Sequence, residues 1–264
     1  MCPMNSRMPV LFVGHGSPMH AIQANEWSRG FASLAALVPR PRAVLSISAH
    51  WYTRGTFLTA EPRPRTIHDF YGFPAELYAV DYPAPGSPEL AEDVRRRLSL
   101  PPAALRTDWG LDHGTWSVLR WMYPNADVPV VQLSIDADLE VERHFELARQ
   151  LAQLRDHGVL VLGSGNITHN LGDALRRMRA GDETTPDWAQ RFDLAVREAL
   201  AEHDERRFLG LWPGTEDGRR SHPTGDHYLP VVYAFAASDR DDDVRFPVEG
   251  FDAGSLSMRC VLFG

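Results

Sequence analysis

Short, unbroken apolar runs rich in β-branched residues recur along the chain, at residues 10–13, 43–47, 56–59, 128–135, 159–162 and 256–263. Runs of this length without polar alternation suit strands buried on both faces, as in a parallel sheet covered by helices. Between them, Val141, Phe145, Ala148, Leu151 and Ala152 recur at helical spacing, as do Trp188, Phe192, Ala195 and Ala199. Ser87 and Pro88 form a cap and first turn for a helix over 89–98, acidic at its start and arginine-rich at its end. Strands alternating with helices predict an α/β fold, a mostly parallel central sheet flanked by helices. The pattern continues without repeats or a low-complexity linker, so one catalytic domain over 1–264 is expected. The proline-rich stretches 62–64 and 82–88 read as ordered surface loops, and 239–243 as a solvated turn.

Charge and composition exclude several functions. The net charge is −8, and all 27 basic residues are arginines. Without lysine there is no Schiff base, no P-loop lysine and no lysine general base. The acidic balance opposes nucleic-acid binding, which needs a basic face. Cys2 and Cys260 are too few for a disulfide framework or a four-cysteine metal site. The longest apolar run, 229–237, is far shorter than the ~20 residues of a membrane span. No basic segment leads into a long apolar stretch near residue 1, so neither a secretory signal nor a membrane partner is expected, and the cytoplasm is the expected location. A monomer or small homo-oligomer is expected.

Histidine is the notable residue, at eleven copies. The run 10–13 leads into Gly14-His15-Gly16-Ser17-Pro18, 43–47 into Ser48-Ala49-His50-Trp51, and 159–162 into Gly163-Ser164-Gly165-Asn166-Ile167-Thr168-His169. Three histidines thus follow the carboxyl ends of expected strands, where open α/β sheets place their ligands. His222 and His227 share a loop ahead of another apolar run. Neutral imidazole is a common ligand for zinc and iron, and a stable site needs several such groups from different segments, held on short turns. The structure is therefore expected to carry a metal site at the carboxyl ends of its strands.

Other features carry less. His144, His157 and His203 lie on charged helical stretches and read as solvated surface, while His20 begins a helix. Gly163-Ser164-Gly165 lacks the third glycine of a dinucleotide loop, since position 168 is Thr. Gly14-His15-Gly16-Ser17 lacks the order of a nucleophile elbow. Trp116 and Trp121 are expected to pack a helix. His68, Asp69, Phe70 and Tyr71 either line a pocket or close a loop.

Seven segments, in order from residue 14 to about residue 230, resemble the class III extradiol ring-cleavage dioxygenases of the DOPA 4,5-dioxygenase type. They are Gly14-His15-Gly16-Ser17-Pro18-Met19, Ser48-Ala49-His50-Trp51, Thr66-Ile67-His68-Asp69-Phe70, Tyr82-Pro83-Ala84-Pro85-Gly86-Ser87-Pro88, Gly110-Leu111-Asp112-His113-Gly114-Thr115-Trp116, Gly163-Ser164-Gly165-Asn166 with His169, and His222-Pro223 with Asp226-His227. The resemblance implies O2-dependent opening of a catechol such as DOPA, with 4,5-cleavage to a seco-DOPA semialdehyde. It implies one divalent metal, Fe(II) for the dioxygenase chemistry or Zn(II) as bound, held by His15, His50 and His227. His169 would be a further ligand or the acid–base residue, and His113 would contact substrate or oxygen, with His68 also on the substrate side. Because iron oxygenases commonly use two histidines and a carboxylate, Asp226 stands as either a partner behind His227 or an alternative ligand. Two other readings of the same histidines are a zinc hydrolase and a metal-binding interaction protein without turnover.

Overall fold

The computed structural model describes residues 7–99 and 101–264, so Cys2 and the first residues of the chain lie outside the described residues. The strands are β1 (Val10–Gly14), β2 (Ala43–Thr53), β3 (Phe57–Thr59), β4 (Ala104–Arg106), β5 (Val130–Asp136), β6 (Val159–Gly165), β7 (Val244–Val248), β8 (Phe251–Asp252), β9 (Leu256–Ser257) and β10 (Cys260–Phe263). The α-helices are α1 (Glu26–Leu34), α2 (Ala75–Tyr78), α3 (Pro88–Arg97), α4 (His113–Met122), α5 (Val141–Arg149), α6 (Leu171–Ala180), α7 (Asp187–Ala201), α8 (Glu205–Leu211), α9 (Glu216–Ser221) and α10 (Leu229–Ala237). Short 3-10 turns cover Pro18–Ala21 and Ala152–His157.

One eight-stranded sheet runs in the order β4-β3-β5-β2-β6-β1-β10-β7, and β8 and β9 form a separate two-stranded sheet. Its centre, β5-β2-β6-β1, is parallel, and antiparallel pairs flank it on both sides. Alternate residues supply two apolar layers. Val10, Phe12, Val159 and Val161 face the layer containing α5, α7 and α10, while Leu11, Val13, Leu160 and Leu162 face α1 and α4. Burial on both faces explains why these strands read as continuous apolar runs. All nine residues of α10 are buried, as expected for a helix apolar on every side. Among the described residues, no helix is long and apolar enough to cross a membrane.

Several expectations need correction. Strand β2 runs through His50 to Thr53 instead of ending at residue 47, with its pairing to β5 interrupted between Ile47 and Tyr52. The expected strand 256–263 breaks at Met258 and Arg259, and its two parts join different sheets. The 82–88 stretch tucks alternate residues inward, and the buried Tyr82 hydroxyl donates to the carbonyls of Leu119 and Tyr123. His144 is buried, because its position in α5 falls on the same stripe as Val141 and Ala148, and Nδ1 meets the Tyr233 hydroxyl at 2.9 Å. His203 is half-buried and bonds the Asp242 carbonyl through Nε2 at 3.1 Å. His157 is exposed. His20 is buried within the first 3-10 turn. The 239–243 turn is clamped, not simply solvated: the fully buried Arg155 donates twice to Asp242 at 2.7 and 2.8 Å, to Asp239 at 3.1 Å and to the Met8 carbonyl at 2.7 Å.

Removing one partner of a buried ion pair strands the other, so Arg155→Ala is expected to lower stability by about 3 kcal/mol. Urea denaturation checks this; a loss below about 1 kcal/mol would assign the clamp to the surface class.

Candidate active site

The topology brings three chain segments side by side. Strands β2, β6 and β1 are neighbours, and their carboxyl ends carry His50, the 166–169 loop and His15. Gly16, at φ +61°, turns the chain sharply after His15, a conformation cheap only for glycine. The His15 amide donates to the Gly165 carbonyl at 2.9 Å, tying the two strand ends together. His227 enters from the turn before α10, its carbonyl accepting from the Asn166 amide at 2.9 Å. His113 is the first residue of α4, whose N-cap Asp112 accepts from the Thr115 amide.

Hydrogen bonding fixes the tautomers of three imidazoles. His15 Nδ1 lies 3.0 Å from Ser164 Oγ. That hydroxyl already donates to the Gly114 carbonyl at 2.6 Å, so it accepts from His15. His50 Nδ1 faces Asp69 Oδ2 at 3.1 Å, and His227 Nδ1 donates to Asp226 Oδ2 at 2.5 Å. With Nδ1 protonated, the Nε2 of each neutral ring carries a bare lone pair. One ring nitrogen from each of these histidines lies within 4.8 Å of the others, and the Nε2 atoms of His15 and His50 are 3.1 Å apart. Converging lone pairs repel unless a cation lies between them, so the donor set fits a divalent metal.

Electrostatics keep two of the three rings neutral. Burial pushes His15 and His227 well below the usual histidine range, and neighbouring histidines add to the shift. At His50 burial also opposes charge, but the bond and charge of Asp69 outweigh it and raise the pKa. Burial would raise Asp69, yet hydrogen bonds from His113 and His50 hold it below the carboxylate range.

Two more histidines complete the floor. Asp69 also accepts from the His113 amide and from His113 Nδ1, both at 2.9 Å, so one carboxylate orients two rings. His113 is pushed down to about 4, by burial first and then by His50. The His169 ring stacks flat on His227, with centroids 3.5 Å apart and planes 3° apart, and stands outside the convergent three. Burial brings His169 to about 4 as well. All five rings open onto one cavity of about 570 Å³, walled by apolar side chains that include Phe70, Phe73, Leu175 and Met178.

His68 is not among the residues lining this cavity; its Nε2 bonds the Val80 carbonyl at 3.0 Å, and its ring packs near Trp116. Its neighbour Asp69 is the polar residue of that segment that enters the site. Asp226 stands behind His227 and is outside the convergent nitrogens.

A family model described as the catalytic LigB subunit of aromatic ring-opening dioxygenase matches residues 9–257. The chain belongs to this family. It is an extradiol ring-opening dioxygenase. It is 45% identical to a 4,5-DOPA dioxygenase extradiol of Escherichia coli K12, covering 98% of this chain and 96% of the relative. It is 35% identical to a protein of the same name from Beta vulgaris, over 93% of this chain and 92% of the relative. The crystal structure of an uncharacterized Escherichia coli K12 protein superposes with a TM-score of 0.84 at 42% identity, covering 98% of this chain and all of the other.

Sequence reasoning missed the supports of the dioxygenase site. Ser164 and Gly114 stand within the motifs that carry the resemblance, but their role as supports of the rings depends on contacts between distant segments. A Cβ on Gly114 would lie 2.4 Å from Ser48 Oγ, 3.0 Å from His50 Cδ2 and 3.3 Å from His15 Cε1. Gly114→Ala is therefore expected to displace the two rings and weaken metal binding about 10- to 100-fold, as loss of a ligand's support does. Metal titration followed by calorimetry, with circular dichroism reporting the fold, tests this; wild-type affinity would contradict it.

His222 is buried at the end of α9 and donates from Nε2 to the Ile167 carbonyl at 2.7 Å, propping the loop that carries His169. Burial lowers His222 to about 3 and His144 to about 4. The unfolded chain, with histidines near 6.5, thus binds more protons than the folded one between about pH 6.5 and 4. Stability is expected to fall as pH drops through that window, by up to about 1.4 kcal/mol per unit for each such histidine. Urea melts at pH 7, 6 and 5 measure the slope; a flat profile would show that these rings are not held neutral.

Proposed function

We propose that this dioxygenase opens the ring of a catechol such as DOPA with O2, by 4,5-cleavage to a seco-DOPA semialdehyde, with Fe(II) as its working metal. The observation that carries the reading is the convergence of one ring nitrogen from each of His15, His50 and His227 at the floor of an apolar cavity, with two further neutral histidines beside them. The relatives named for DOPA cleavage support the substrate class.

His15, His50 and His227 would hold the cation. Bound there, Fe(II) would acidify a chelated diol and supply electrons to O2. The chain's own groups do the rest. His113 donates from Nδ1 to Asp69, so its Nε2 presents a lone pair to the cavity and accepts a hydroxyl proton. Once protonated it becomes a donor toward negative charge on oxygen, with the Asp69 carboxylate offsetting its own charge. The His169 ring makes no hydrogen bond to another described residue, which leaves it free to take a second proton and return it as the ring opens. A positioned histidine of this kind contributes about 100- to 10,000-fold. The apolar wall seats the ring and excludes bulk water.

O2 uptake with DOPA and with 4-methylcatechol, on protein loaded with Fe(II), with Zn(II) or with neither, tests the reading. Uptake with a yellow product only in the Fe(II) sample is expected. His15→Ala and His50→Ala are expected to lose metal and turnover together, and His169→Ala to lower kcat at least 100-fold with little change in catechol binding. Full turnover in His169→Ala would remove that residue from the mechanism. O2-independent turnover with zinc would replace the dioxygenase reading with a hydrolase.

A further inference from the structure

The cavity is larger than a catechol ring, and its outer part is asymmetric. Along one side, α6 presents Leu171, Leu175 and Met178 at helical spacing, all three more than 40% exposed. On another stands the β8–β9 hairpin with Asp252. Among the described residues, the lining contains two carboxylates, Asp69 and Asp252, and no arginine. Asp69 is committed to His50 and His113. Asp252 is 28% exposed and gives Oδ2 to His20 Nε2 at 3.0 Å.

The direction of that hydrogen bond follows from its neighbours. Asn25 Oδ1 accepts from the Ser28 amide at 2.9 Å, which fixes Nδ2 as the end that faces His20 Nδ1 at 2.9 Å. An amide nitrogen only donates, so Nδ1 of His20 accepts and its single proton lies on Nε2, directed at Asp252. His20 thus donates to Asp252 Oδ2, while Asp252 Oδ1 accepts no hydrogen bond from another described residue and stands at the cavity rim. Beyond Asp252 the adjoining cleft is lined by Glu26, Glu183 and Asp182; Arg177 pairs with Asp182 at 2.5 Å, which leaves Glu26 and Glu183 to add to the field of Asp252.

Strand pairing gives the reach. Leu256 pairs with Asp252 on one side and with His169 on the other. Asp252 and His169 are thus two strand spacings apart at the backbone, roughly 10 Å. That span suits a catechol whose diol lies among the histidines and whose short apolar arm ends in a charged group.

We propose that Asp252 is a specificity-determining residue that anchors an ammonium group, so the preferred substrates are catechols bearing a cation on a short apolar arm. This rests on the ring-cleavage reading and narrows it. A catechol whose arm carries a carboxylate and no ammonium meets Asp252 with like charge, whereas DOPA brings the ammonium that Asp252 can receive.

The experiment measures kcat/KM of the Fe(II) enzyme for dopamine, 4-ethylcatechol and 3-(3,4-dihydroxyphenyl)propionate, which carry an ammonium, no charge and a carboxylate. The wild type is expected to rank them in that order. In Asp252→Asn the dopamine-to-ethylcatechol ratio is expected to fall about tenfold, the size of one hydrogen bond to a charged group, mostly through KM. Asp252→Glu is expected to restore part of the ratio, which a merely structural role would not do. A wild type that favours the carboxylate, or a ratio unmoved in Asp252→Asn, would overturn the anchor while leaving ring cleavage standing. Absence of O2 uptake with all three would overturn both.

Discussion

Three Nδ1 hydrogen bonds hold this molecule's chemistry in place. Ser164, Asp226 and Asp69 face the Nδ1 atoms of His15, His227 and His50, and each contact turns the opposite nitrogen inward. Without them the rings could rotate, change tautomer or pick up protons, and the donor set would dissolve. Burial supports the same outcome, since it keeps His15 and His227 neutral. His50 is the exception, because the carboxylate that orients it also raises its proton affinity.

The sheet makes the convergence possible. The order β2-β6-β1 places segments that are distant in sequence next to one another, and parallel pairing puts their carboxyl ends on one edge. Side chains on rigid strand ends are held more closely than side chains on loops. The fourth contributor, His227, comes from the turn before the fully buried α10, so the core fixes its position as well. Close approach of the parts depends on the missing side chain of Gly114, where α4 meets His15 and His50.

Asp69 links the site's two functions. It orients His50 within the convergent nitrogens and His113 beside them, so the donor set that fits a cation and the proton-handling role proposed for His113 share one carboxylate. The farther end of the cavity uses a different logic, in which an apolar wall on α6 faces the charged hairpin at Asp252. Floor and rim are joined through the backbone pairing of Leu256 with His169.

Local pattern was enough to determine the fold class and the principal histidines. Continuous apolar runs announced strands buried on both faces, and His15 and His169 stood just beyond two of them. His50 was recognised with its strand ended too early, because polar Ser48 and His50 interrupt the apolar pattern while the backbone stays extended. The charged residues around His144 placed it among surface residues, although its helical position turns it toward Tyr233 in the core. What tertiary structure decided was every relation between distant segments: that Asp69 enters the site and His68 faces Val80, that His169 stacks on His227, and that Asp252 reaches the rim. A sequence specifies the local backbone and which residues avoid water. Which imidazole nitrogen is left bare depends on a partner as far as 149 residues away, and only the folded sheet brings that partner within a hydrogen bond.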